Sequence, residues 1–196
     1  RVDESETWAF QPATDPFSSE ALLDLRSLNE SRAGEAGFIR LTPDGMSFLR
    51  GDGQPIRFWS VVSDGWRMEP EAMRRHLRWL AKLGVNMVRV HAQLCVEEEG
   101  ARLTDVDEKV IDGILRFVAE AKKQGIYVTI SPYWSHTQKI PASWDLDSYT
   151  GQSGPEGLLF FEPRLQAAYK AWVKELYTRP NPYAEDRTPL RDEPAV

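Results

Sequence analysis

Two short stretches repeat one pattern 41 residues apart: "AKLGVNMV" and "AKKQGIYV" each release a helix through a glycine, Gly84 or Gly125, into a run of β-formers. A helix that stops on glycine and feeds at once into a strand, repeated at that interval, is the grammar of βα units. Strands connected this way run parallel, with right-handed crossovers. The flanking periodicity agrees. "EPEAMRRHLRWLAKLG" opens on Pro70 and sets Met73, Leu77, Leu80 and Ala81 on one stripe. "DVDEKVIDGILRFVAEAKKQG" pairs Asp105 with Glu108 as an N-cap pattern and lines its buried side with Val110, Ile111, Ile114, Leu115 and Val118. A third helix, predicted from about Pro163, places Leu165, Tyr169, Trp172 and Leu176 on one side.

The repeat has a different kind of sequence in front of it. Residues 1–36 form an irregular arm, with "SSEALLDLRSLNE" predicting one short helix. The runs "GFIRL", "MSFLR" and "PIRFWSVV" follow, separated by the turn clusters "TPDG" and "GDGQ", which predicts a small meander. The division is therefore 1–54 for the arm and β-meander and 55–196 for three βα units, with "PAV" at the threshold of a fourth strand. A closed (β/α)₈ barrel takes about 250 residues, more than the 196 present. The expected fold is α/β, the N-terminal half of a (β/α)₈ TIM barrel with an N-terminal β-meander. An open sheet edge has to be covered, so the remainder of the barrel is expected as a second chain or a missing continuation. A free-standing open α/β domain is the alternative.

Composition narrows the partners. Net charge is −6 with no Lys/Arg-rich run, so nucleic acid is not expected. No apolar stretch approaches the ~20 residues of a membrane span. Cys95 is the only cysteine, which excludes an intrachain disulfide framework. No P-loop, GxGxxG or GxSxG occurs, and the three histidines lack metal-ligand spacing, so a zinc site is not expected.

Chemistry concentrates where the predicted strands end. In "LGVNMVRVHAQ", side chains alternate faces with period two, so Met87, Arg89 and His91 share one face and Val88 and Val90 the other. The first strand runs into "SDGW", with Trp66, and the third into "PYWSHTQ", with Tyr133, Trp134 and His136. A loop of roughly 30 residues, holding Trp144, comes next, and loops that long in compact domains are functional or disordered. C-terminal strand ends carry the functional groups of (β/α)₈ enzymes. Aromatics around polar strand ends suit a sugar, whose C–H faces stack on rings while its hydroxyls need polar neighbours. These aromatics can also simply plug the top of a barrel. An inward Arg89 can pair with a carboxylate to hold the barrel, or keep a catalytic carboxylate ionised. An opposite charge within ~4–6 Å lowers a carboxylate pKa by about 1–3 units. His76 reads as a surface or helix-packing residue and "VEEEG" as a solvated loop.

"GDGQPIRFWSVV", "LAKLGVNMVRVHAQ" and "AKKQGIYVTISPYW" together resemble the first third of clan A glycoside hydrolases, the cellulase-like family 5 in particular. "GVNMVR" is the most specific match, and "NPY…DEPAV" is similar to the linker that runs into strand four of that family. The resemblance covers residues 45–196. It implies that Asn86 and Arg89 are motif residues, with Arg89 beside the nucleophile at the floor of the active site. It also implies that the acid/base and nucleophile glutamates lie beyond Val196, at strands four and seven. Glu193, which precedes a proline in a turn-like stretch, is not a substitute. The third strand departs from the family, with Tyr133 standing where a functional histidine is common.

The expected activity is that of the N-terminal portion of a retaining glycoside hydrolase on β-linked glycans, cellulase- or mannanase-like. Two carboxyl groups about 5–5.5 Å apart would run its double displacement. The substrate-binding candidates are Asn86, His91, Tyr133, Trp134, His136, Trp66 and Trp144, and the partner is an oligo- or polysaccharide. Polysaccharide hydrolysis implies export, so a secreted or periplasmic location is the expectation. One alternative is a non-catalytic carbohydrate-binding TIM-barrel relative. Another is a barrel enzyme that uses Arg89 to grip a carboxylate or phosphate.

Overall fold

The computed structural model of the protein describes residues 17–18, 21, 23–132, 140–146 and 156–196. The meander comes first: β1 (Arg40–Leu41), β2 (Phe48–Leu49) and β3 (Pro55–Ile56) pair antiparallel in that order. A second sheet follows, in which β4 (Ser60–Val62), β5 (Met87–His91) and β6 (Tyr127–Ser131) pair in parallel, with β5 central. Helix α1 (Pro70–Lys82) connects β4 to β5, α2 (Glu108–Lys122) connects β5 to β6, and α3 (Pro163–Thr178) follows β6. The "PIRFWSVV" run is not one strand. It divides at residues 57–59, its start belonging to the meander and its end to the parallel sheet.

Helix faces fall where the periodicity places them. Met73, Leu77, Leu80 and Ala81 of α1 are buried, as are Ile111, Ile114, Leu115 and Val118 of α2 and Leu165, Trp172 and Leu176 of α3. Phe117 joins them. Burying each large aliphatic side chain contributes roughly 1.5–3 kcal/mol, so this layer between helices and sheet is the main source of stability. The cap of α2 is Asp107, whose carboxylate accepts from the backbone N–H groups of Lys109 and Val110. Asp105, the cap expected from spacing, is instead engaged by Arg102.

The arm caps the opposite end of the sheet. A helix leaves its last carbonyls unpaired, and here the arm supplies donors. Leu25 N–H donates to Lys82 O at 2.9 Å and Ala33 N–H to Lys122 O at 2.9 Å, one for each repeat. Asn29 Nδ2 adds a bond to Val85 O at 2.9 Å. Backbone spent on α1 and α2 cannot also form its own helix, and only a single 3₁₀ turn, Arg26–Leu28, stands within the predicted helix among the described residues. At the far end of the chain, Val128 N–H donates to Ala195 O at 2.8 Å, so "PAV" comes to lie beside β6 as a fourth strand would. The parallel sheet remains open and no barrel closes among the described residues.

Gly125 shows how tightly the arm sits. Its φ is +69°, and a Cβ there would lie 2.0 Å from Glu30 O. Gly125→Ala therefore combines a left-handed backbone penalty with a backbone clash, and a loss of about 2–4 kcal/mol is expected. Urea unfolding of the variant checks this; an unchanged midpoint would mean that the arm does not pack on this turn.

Candidate functional site

Register stacks the helix-free face of the sheet into layers. Ser60, Met87 and Tyr127 are aligned across the three strands, then Val62, Arg89 and Thr129, then His91 with Ser131 at the C-terminal end. The other parity, Val88, Val90 and Val128, is buried under the helices. The lowest layer is apolar toward the meander: Met87 and Tyr127 pack with Ile56 and Phe58, and Phe58 meets Tyr127 edge-on at 5.4 Å. Above it the face becomes polar and open. The arrangement confines the candidate chemistry to the upper two layers.

Arg89 is exposed on this face, and its Nε donates to Ser131 Oγ at 2.9 Å, one layer further up. Among the described residues no ion pair involves it. His91 stands in the top layer. Burial holds its imidazole below the ordinary value, the Arg89 charge adds to that, and Asp64 opposes both. That direction favours the neutral imidazole, which carries one N–H donor and one acceptor nitrogen suited to a hydroxyl. The strand end is fixed from the side by the Trp66 indole N–H, which donates to His91 O at 3.2 Å.

Other candidates take different places. Asn86 sits at the start of β5, at the end of the strand opposite His91. Its Oδ1 accepts from Trp59 N–H at 2.7 Å and its Nδ2 donates to Arg57 O at 2.8 Å. Both ends of the amide are thus committed to the stretch that divides the "PIRFWSVV" run. Asn86 is a backbone clamp, and a substrate contact does not fit this placement. Trp144 is 1% exposed, tilted against Trp172 with ring centroids 6.0 Å apart. Trp66 is also buried, with the Arg67 guanidinium over its ring at 4.7 Å. Neither ring offers a free face to a sugar. Tyr133, Trp134 and His136 lie outside the described residues.

His76 takes the helix-packing place expected of it, with a partner that was not foreseen, and two acids take up tasks the sequence does not show. His76 is half-buried, stacks on Trp79, and its Nε2 shares a hydrogen bond of 2.8 Å with Ser63 Oγ, tying the end of β4 to α1. Glu99 of "VEEEG" binds backbone of the loop after β6 and is not merely solvated. Glu193 is 3% exposed and ion-paired with Lys122 at 2.9 Å. That contact gives it a structural task near the end of α2.

Comparison with known proteins decides the fold. No protein-family profile and no characterised protein matches the sequence. Solved structures do match. An endo-1,4-β-mannanase from Rhizomucor miehei superposes with a TM-score of 0.62 at 13% identity, over 82% of this chain and 46% of its own. A family 5 mannosidase from the same organism, in complex with mannosyl-fructose, gives 0.58 at 13% identity, over 81% and 46%. An exo-β-1,4-mannosidase from Opitutaceae bacterium strain TAV5 gives 0.52 at 17%, over 71% and 24%. The chain shares the fold of family 5 glycoside hydrolases. It spans about half the length of the first two of these structures, or less than that of the third.

The clamp role of Asn86 is open to direct test. Asn86→Ala removes the partner of a donor and of an acceptor on the β3–β4 connection, both at exposed positions, and a loss of about 0.5–1.5 kcal/mol of stability is expected. Thermal unfolding measures it, and a variant as stable as the parent would refute the clamp.

Proposed function

We propose that the chain is the N-terminal portion of a retaining glycoside hydrolase that cleaves β-linked glycans, mannan foremost. The observation that carries the reading is Arg89. It is a fixed cation on the open face of the central strand, hydrogen-bonded to Ser131 and without an anionic partner among the described residues. In a barrel closed by further strands this face is the lumen, and Arg89 lies just below the C-terminal rim where barrel enzymes do their chemistry. The shared fold with mannanases and mannosidases supports the glycan class.

The roles divide as follows. The acid/base and nucleophile glutamates come from strands beyond Val196. Arg89 lies beside the nucleophile and keeps it ionised, while its partner carboxyl stays protonated. The nucleophile attacks the anomeric carbon as the acid protonates the leaving oxygen. Water, deprotonated by the same group, then releases the sugar with net retention. His91 supplies a neutral hydrogen-bonding group to the sugar, with Tyr133, Trp134 and His136 as further subsite candidates. No cofactor is required. Action on a polysaccharide places the enzyme outside the cytoplasm, secreted or periplasmic.

The test is hydrolysis by the complete gene product, on β-mannan and on manno- and cello-oligosaccharides, followed by ¹H NMR. New reducing ends appearing first as the β-anomer are expected. Binding of glycans without hydrolysis would replace this reading with a non-catalytic relative. Neither binding nor hydrolysis would overturn both.

A further inference from the structure

The loops that leave the C-terminal ends of β5 and β6 are tied to each other in both directions. Glu99, in the loop after β5, accepts from Ala142 N–H at 3.1 Å through Oε2 and from Ser143 N–H at 3.0 Å through Oε1. In return Ser143 Oγ accepts from Gly100 N–H at 3.1 Å and donates to Ala101 O at 3.3 Å. Hydrogen bonds to an ionised acceptor are stronger than neutral ones, so Glu99 is the principal tie. The segment it holds is anchored on other sides too. The Arg164 guanidinium, at the start of α3, donates to Asp145 O at 2.6 Å and Trp144 O at 2.9 Å. Trp144 itself is buried on Trp172.

Both oxygens of this exposed glutamate are spent on the backbone of another loop. The Trp144 ring and Arg164 hold the same segment on its other sides. What Glu99 fixes is the distance between the two loops, at the end of the sheet where Arg89 and His91 stand. We infer that Glu99 and Ser143 form a latch that sets the width of the glycan cleft along its β5–β6 side. Glu99 is then a positioning residue for extended substrates, which it does not touch. This inference rests on the glycoside hydrolase reading above. A long glycan chain crosses the rim and needs both loops in register. A short aryl glycoside, held mainly at the reacting centre, does not.

Glu99→Ala and Ser143→Ala in the complete enzyme test this with two readouts. Backbone hydrogen exchange at Ala142 and Ser143 should accelerate about tenfold or more in Glu99→Ala, because local opening no longer breaks the tie. The KM for mannohexaose should rise about 5–10-fold with kcat held within about twofold, while kcat/KM for an aryl β-mannoside stays unchanged. Ser143→Ala should move both readouts the same way, and Glu99→Gln, which keeps one acceptor oxygen, should fall between Glu99→Ala and the parent. Unchanged exchange would show that no latch exists. Faster exchange with an unmoved KM for the hexaose, or an equal loss on both substrates, would overturn the positioning role. If the unaltered enzyme cleaves no glycan, the hydrolase reading fails and takes the cleft role with it, and the exchange measurement decides the latch alone.

Discussion

The parity of β5 is the constraint on which the rest depends. It is the central strand, paired on both edges, and Val88 and Val90 must lie under α1 and α2 for those helices to bury their stripes. Period two then forces Met87, Arg89 and His91 onto the other face, and parallel register carries the same choice to Val62, Thr129 and Ser131. A one-residue slip would bring Arg89 under the helices, an uncompensated buried charge whose cost far exceeds anything the slip could recover. The packing of the core and the placement of the cation are therefore one decision. The buried helix side and the polar open side follow from the same alternation.

The two ends of the sheet are finished differently. At the N-terminal end, the arm caps both helix termini, Asn86 clamps the connection between the two sheets, and Phe58, Met87 and Tyr127 fill the floor. Leu25, Ala33, Asn29 and Asn86 each spend polar groups there on the protein's own backbone. At the C-terminal end, Arg89 is exposed, the loops after β5 and β6 are linked through Glu99 and Ser143, and the Trp66 indole ties the end of β5. That contrast is the one expected of a βα fold whose N-terminal face stabilises and whose C-terminal face acts.

How much of this was legible follows from the range of each interaction. The three long helices and the strands β5 and β6 were readable because apolar periodicity and glycine stops are local. The face of Arg89 was readable for the same reason, since alternation needs only neighbouring residues. The cap of α2 was not decided by spacing: Asp105 and Glu108 stand at the expected interval, yet the Asp107 N–H bond to Leu94 O at 2.7 Å, a tertiary contact, sets Asp107 at the cap. The break at residues 57–59 has no local signal either, because it depends on the Asn86 amide 27 and 29 residues away. Trp144 shows the limit most plainly. A tryptophan in a polar loop reads as a rim aromatic, and only its contact with Trp172, on a different element, makes it core. Likewise Glu99 reads as one of three solvated acids until the loop after β6 is placed beside it.

The central claim is that Arg89 holds a catalytic carboxylate in its charged form. The acid limb of the pH profile of kcat/KM in the complete enzyme reports that group directly, because it follows the pKa of the free enzyme's essential base. The limb should lie at low pH in the parent and move up by about 1–3 units in Arg89→Met, the shift expected when an adjacent opposite charge is removed. A limb that stays in place while the overall rate falls would contradict the account, and would leave Arg89 as a structural partner of Ser131 alone.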